Sequence, residues 1–427
     1  MNHDKTCQYI GTSTGCDDAY GKVTGSVRYC ADLLAPGQLH MRLCPAEITH
    51  GRIVAIDITR AEKMPGVRAV YTWQNTPDRP YDRGRVIRYE NVTYQERLFD
   101  PHIRYRGERI AAVVADTEEH AAAACRAITA EYEEYPAALT PEQALREDAP
   151  EVQVYPPYGD VTEPVRNRYD VGPLTTGDYD SCSAEHVHTS RTHLSRMTHL
   201  TLETQACRAR YDRGKDLLTV WTGTQISFGI RSTVADLVGL PYARVRVIKT
   251  PMGGSFGCRQ EAIVEPLAAY AAYDLRADVL LSYTREEQIG NAMLKHNVDF
   301  AVESKTGSDG TIEGMRISAV LDAGAYTTVS HWFLGEIGSK SGKVYRIPNL
   351  DFRGICVNTN TPVNGSFRSW GSSDIAAAME NHINIIAKDL GIDPVEFRLR
   401  NVHLAHEEDL LNRRNIGKTH FTECLTL

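Results

Sequence analysis

The chain has 427 residues, of which 42% are hydrophobic and 24% charged, and its formal net charge is −8. That length exceeds what one core usually serves and predicts two or three domains, while a mildly acidic chain without basic blocks offers no footprint for nucleic acid or an anionic membrane. The N-terminal MNHDKTCQYIGTSTG lacks an apolar targeting core, and no apolar run approaches the roughly 18 residues a membrane span needs, so a cytoplasmic protein is expected.

In chain order, residues 19–35 (AYGKVTGSVRYCADLLA) read as a turn followed by a short strand. GRIVAIDITRAEKMPGVRAVYTW (51–73) reads as an alternating strand, a short helix broken at Pro65-Gly66, and a second strand. A strand at 109–115, an alanine-rich helix over 117–127 and a strand at 128–134 follow, completing an α+β domain that ends near residue 140. Residues 141–178, rich in proline, aspartate and tyrosine, show no periodicity and read as a surface linker. Strands are then predicted at 184–193, 205–211, 217–222 and 244–249, and a helix at 261–274. A strand pair at 297–304 and 312–321 flanks the turn GSDG, and an amphipathic helix covers 373–390. No internal repeat stands out.

Several stretches can carry chemistry. The loop GGSFG (253–257) bares its backbone just ahead of a predicted helix, which suits either a phosphate-bearing cofactor or a plain tight turn. It lacks the spacing of a P-loop, and the G-K-T at Gly417 has Asn412 where the first glycine belongs. NGSFRSWG (364–371) sets Arg368 between aromatic rings in a second glycine-bounded loop; its planar fork of donors fits an anionic or carbonyl-bearing ligand, and a surface arginine fits as well. VWTGTQ ends in Gln225, whose amide can donate to an oxo group or cap a backbone. His186, His188, His193 and His199 include an i, i+2 pair able to ligate a metal, but no further ligand has zinc spacing and hydrogen-bonded histidines explain them equally. Glu203 and Glu261 are acidic groups near the glycine loop whose role depends on their surroundings. The ten cysteines contain no C-x-x-C pair, so reduced thiols are expected and an iron–sulfur cluster in this chain is not.

The order of the pieces says more than any one of them. YGKVTGSVRYCADL, ITHGRIVAIDITRAEKMPGVRAVYTW, YRGERIAAVVADT, LETQACRARYD, VWTGTQ, GGSFGCRQEAIVEPLAAYAA, LDAGAY, VYRIPN, GSFRSWG and LGIDPVEFRLRN follow one another along the chain. This succession resembles the molybdenum-cofactor subunit of the xanthine dehydrogenase and aldehyde oxidase family, from about residue 10 to the C-terminus. The resemblance implies an α/β hammerhead domain over 15–140, a linker over 141–178 and the first molybdopterin-binding domain over 179–427. It implies a molybdopterin, with the cytosine dinucleotide form open, and hydroxylation with water as oxygen source. Phe256 and Gly257 would lie beside the molybdenum, with Gly254 among the backbone contacts to the cofactor. Gln225 would hydrogen-bond an oxygen on the metal, and Arg368 would orient the substrate or stabilise developing charge. Iron–sulfur clusters and FAD would sit on partner subunits.

The pattern departs from the family in places. No residue here matches the family's catalytic glutamate, so a second molybdopterin-subunit half carrying it, in a G-x-G-E context, is an expected partner beside the iron–sulfur and FAD subunits. GGSFGCRQ has serine for the usual third glycine, and Gln260 stands where animal xanthine oxidoreductases place a substrate-binding glutamate. Ser369 follows the arginine where glycine is common, and Ser372-Ser373 replace the usual small residue and proline. GEIGSKSGK lacks the phenylalanine that stacks on purines in the animal enzymes. The resulting expectation is a hydroxylase of an N-heteroaromatic compound of purine or nicotinate type. The alternatives are a non-catalytic scaffold or remnant, and an aldehyde-oxidising homologue.

Overall fold

The computed structural model describes residues 10–84, 95–156 and 163–427. Its backbone is a seven-stranded sheet assembled from distant parts of the sequence. In spatial order the strands are Val245–Lys249, Leu217–Thr222, Ala206–Asp212, Asp278–Ser282, Leu39–Pro45, Arg109–Ala115 and Val67–Tyr71. The N-terminal segment joins the later one through a parallel pairing that sets Leu39 opposite Val279 and Met41 opposite Leu281.

The strand Arg109–Ala115 shows how sequence becomes core. RIAAVVA is apolar on both faces, as a strand covered on both sides must be. Ala112 and Val114 enter one core with Met41, Leu218 and Leu267, while Ala111, Val113 and Ala115 enter another with Ile53 and Ala121. The second core is closed by helix Glu118–Cys125, whose start is capped by Thr117 accepting from the His120 N–H and whose first turn carries Glu118 and Glu119.

A separate five-stranded sheet runs His186–Leu194, Val298–Thr306, Ile312–Gly324, Asn349–Asn358 and Arg168–Thr176. Helix Ser372–Leu390 packs on it through Ile375, Met379, Ile383 and Ile386, a helical stripe, and ends at Gly391 in the left-handed region.

Three sequence expectations change. Residues 19–35 form helix Ala19–Val23 and a 3₁₀ turn Cys30–Asp32, not a strand; Tyr20 and Val23 are exposed, so no sheet face claims them. The 141–178 stretch is not only a linker, because Arg168–Thr176 is paired with Asn349–Asn358 as an edge strand of the second sheet. Its irregular burial, with one face to solvent, hides the period. The helix expected from residue 261 begins at Glu265, because Pro266 occupies its first turn and the Glu265 carboxylate accepts the N–H groups of Ile263 (3.0 Å) and Val264 (3.2 Å).

Candidate functional site

Strands Leu217–Thr222 and Val245–Lys249 are parallel neighbours, with Thr222 opposite Lys249. Their carboxyl ends therefore emerge side by side, the place where α/β sheets open crevices for ligands. Gly223-Thr224-Gln225 leaves the first end and Thr250 to Gln260 the second, joined by the Thr250 N–H to the Thr222 carbonyl (3.0 Å) and the Gln225 N–H to the Arg259 carbonyl (2.9 Å). The Gln225 side chain is exposed and its oxygen accepts from Ser255 Oγ.

Arg259 organises the glycine loop from beneath. Its guanidinium is buried and donates to Glu203 Oε2 (3.0 Å), the carbonyls of Glu203 (3.0 Å), Thr204 (3.1 Å) and Gly254 (3.0 Å), and Gln205 Oε1 (3.3 Å). The same Glu203 carboxylate accepts the Gly253 N–H (2.8 Å). One cation thus ties the Gly254 carbonyl of the loop to the neighbouring Glu203–Gln205 segment. Phe256, at a left-handed φ of 53°, stands 48% exposed at the loop's tip.

Gly257 ties this loop to the second one. Its φ is +111°, and a β-carbon there would lie 2.5 Å from the Ser366 carbonyl oxygen and 3.0 Å from Phe367 Cα. Only glycine allows such backbone contact. Gly365 is equally constrained, since a β-carbon would fall 2.2 Å from Glu261 Oε1. His199 fastens the second loop from the other side, its Nε2 hydrogen-bonded to the Ser366 carbonyl (2.8 Å) and its ring packed on Phe367 with ring centres 4.7 Å apart. Burial holds its imidazole below the usual histidine range. Arg368 then projects into solvent, and among the described residues its guanidinium makes no hydrogen bond or ion pair.

Glu261 lies under both loops, fully buried, with its Oε2 3.3 Å from Arg83 Nε. Arg83 also faces Glu96 (3.5 Å), which pairs with Arg109 (2.7 Å). Burial pushes the Glu261 carboxyl up to about 7, aided by the neighbouring carboxylates of Asp82 and Glu96 and opposed by Arg83.

The structure therefore sets Gln225, Phe256 and Arg368 on an exposed rim, with Gly254 half-buried and Gly257 buried beneath it. Gln260 is half-buried just behind it, its N–H on the Gly257 carbonyl (3.0 Å). Of the four histidines only His199 reaches the rim. His186, His188 and His193 sit on the outer strand of the five-stranded sheet with Ser308, Asp389 with Thr306, and Asp299 as their respective partners. Among the described residues no group of three or more His, Cys, Asp or Glu is placed to hold a metal ion. Sequence reading missed Arg259 and Arg83. For Arg259 the signal was an arginine set in a glycine-rich and apolar stretch, the mark of a buried, paired charge, whereas Arg83 stands among other arginines and polar residues and gave none.

Residues 162–402 match the model of the molybdopterin cofactor-binding domain, and residues 24–136 that of the aldehyde oxidase and xanthine dehydrogenase a/b hammerhead domain. The chain belongs to this family. It is 30% identical over 418 residues to the xanthine dehydrogenase molybdenum-binding subunit of Escherichia coli O157:H7, covering 96% of this chain and 54% of that one. To the nicotinate dehydrogenase large molybdopterin subunit of Eubacterium barkeri it is 30% identical, covering 93% of this chain and 90% of that subunit. The fold superposes on quinoline 2-oxidoreductase from Pseudomonas putida 86 with a TM-score of 0.83 at 26% identity, over 98% of this chain and 53% of that one. The chain thus spans about half the length of most of the curated relatives it matches. No helix among the described residues is long and apolar enough to cross a membrane.

The family's cofactor suits what the site offers. A glycine loop anchored by Arg259 at the Gly254 carbonyl exposes Phe256 at its tip, and the donors at the rim that are free among the described residues, the Gln225 amide and the Arg368 guanidinium, match an oxygen-rich anionic group. Beside them, the Ser366 hydroxyl is buried and has no hydrogen-bond partner among the described residues.

Proposed function

We propose that this chain contributes one half of the catalytic centre of a molybdenum hydroxylase acting on an N-heteroaromatic substrate of purine or nicotinate type. The observation that carries the proposal is the convergence of Gln225, Phe256 and Arg368, from three separate segments, on one rim at the carboxyl ends of parallel strands. The kinship with a nicotinate dehydrogenase subunit of nearly the same span supports the substrate class. The molybdenum cofactor, in its plain or cytosine dinucleotide form, supplies the redox chemistry when bound.

This chain's own residues bind and orient. Gln225, tethered through Ser255, presents an amide donor to the cofactor's polar face. Phe256 offers an exposed ring against which a flat heterocycle can lie. Arg368, unpaired among the described residues and permanently charged, is free to grip a ring nitrogen, carbonyl or carboxylate and to stabilise negative charge as it grows on the substrate. Gln260 stands behind the rim as a second polar contact for substrate. The general base belongs to a glutamate of the second molybdopterin-binding half, and electrons leave to iron–sulfur and FAD subunits.

The test is Arg368→Met in the enzyme assembled with its partner subunits, assayed with nicotinate and with xanthine. Molybdenum content is expected to stay near that of the parent while turnover falls by about a hundredfold or more. Loss of molybdenum would make Arg368 a cofactor contact and remove its substrate role. A metal-free, inactive complex in the parent itself would favour the non-catalytic scaffold.

A further inference from the structure

Away from the rim, two thiols meet on the far side of the N-terminal segment. Cys44 lies near the end of strand Leu39–Pro45 and is buried; Cys125 ends helix Glu118–Cys125, which packs across that strand, and is half-buried. Cys125 packs against the apolar cluster that contains Cys44, and its Sγ donates to the carbonyl of Arg42 (3.5 Å), two residues before Cys44 on the same strand. Both line a cavity of about 550 Å³ that Arg42, Glu47, Arg126 and Tyr132 also border, so small polar molecules reach them. The neighbouring Cys125 thiol and burial push the Cys44 thiol up, so the more exposed Cys125, on the wall of the cavity, is the one that meets an oxidant first, with Cys44 placed behind it to close a bridge between helix and strand.

We infer that Cys44 and Cys125 form a peroxide-sensitive dithiol that closes to a disulfide. The Cys125 sulfur attacks one oxygen of hydrogen peroxide; an S–O bond forms, the O–O bond breaks and water leaves, giving a sulfenic acid. The Cys44 sulfur then attacks the Cys125 sulfur, forming the S–S bond and expelling the oxygen as a second water that carries away the Cys44 proton. Two thiols are oxidised by two electrons in total, and one peroxide is reduced to two waters. The bridge staples the helix to its strand. That strand continues through Asp278–Ser282 and Ala206–Asp212 to Leu217–Thr222, whose end leads to Gln225, so the staple stiffens the sheet that carries the rim.

The full chain, purified under reducing conditions, is treated with hydrogen peroxide and digested without reductant for mass spectrometry. A peptide pair joined through Cys44 and Cys125, about 2 Da lighter than its reduced parts and separated again by dithiothreitol, is the expected result. Cys125→Ser and, independently, Cys44→Ala must each abolish it, and the second variant must leave a trappable sulfenic acid on Cys125. Sulfinic acid on Cys125 in the parent, a bridge to any other cysteine, or two unmodified thiols would overturn the inference.

Discussion

Glu261 is a buried carboxyl group, and its position predicts a pH signature. In an unfolded chain it would titrate near about 4.3, whereas burial pushes it to about 7 in the fold. Between those values the native state keeps a proton that the unfolded chain has released. Its stabilising contribution is therefore complete below the unfolded pKa and is lost as pH rises through 7. The stability of the parent relative to Glu261→Gln should fall from pH 4.5 to 7 and level off above, as read from urea midpoints across that range. A constant difference would mean that Arg83 holds the group ionised throughout. Gly257 makes a second prediction at this scale. With φ at +111° and a backbone oxygen 2.5 Å from any added β-carbon, Gly257→Ala should cost about 2 kcal/mol or more and loosen residues 366–371, seen as faster amide exchange there.

At the level of elements, two loops matter, and each depends on a buried charge pair. Arg259 joins the Gly254 carbonyl of the glycine loop to the carbonyl and carboxylate of Glu203. Arg259→Ala leaves that largely covered carboxylate without its counter-charge and with only the Gly253 N–H, so a loss of about 3 kcal/mol is expected in urea unfolding, together with loss of molybdenum from the assembled enzyme. The second loop feeds helix Ser372–Leu390, where Asp374 in the first turn meets Lys295 from the short strand Leu294–Lys295, both buried. Lys295→Met alone should destabilise by about 3 kcal/mol, and adding Asp374→Leu should recover most of it, because the penalty lies in stranding one charge. If the double variant is as weak as the single, the pair is holding geometry instead of balancing charge.

Across the whole molecule, the parallel pairing of Leu39–Pro45 with Asp278–Ser282 makes one sheet of two sequence regions. The core beneath it mixes Met41, Tyr71, Ala112 and Val114 with Leu218, Leu267 and Leu281. A fragment beginning at residue 163 would leave the central strand Asp278–Ser282 as an edge and strip seven of the 29 buried residues of that core. It should be insoluble or uncooperative in thermal unfolding, whereas a soluble, cooperative fragment would mark residues 179–427 as a self-standing domain. The same scale separates what was legible in the chain from what was not. Strands such as Arg109–Ala115 and Leu217–Thr222, and helix Ser372–Leu390, were readable because burial on one or two faces imposes a period on the residues themselves. The ordered motifs also carried the family, and with it Gln225, Phe256 and Arg368 as rim residues and Gly257 beneath them. The edge strand Arg168–Thr176 escaped notice because half-exposed pairing needs no strict alternation. Arg259, Arg83 and Glu261 could not be assigned either, since a charge is paired or stranded only by neighbours that the fold brings from far along the chain. Local pattern thus determined which segments become strands, helices and glycine turns. Tertiary structure alone decided which carboxylate meets which guanidinium, because those contacts are made in a buried space that no stretch of sequence encloses by itself.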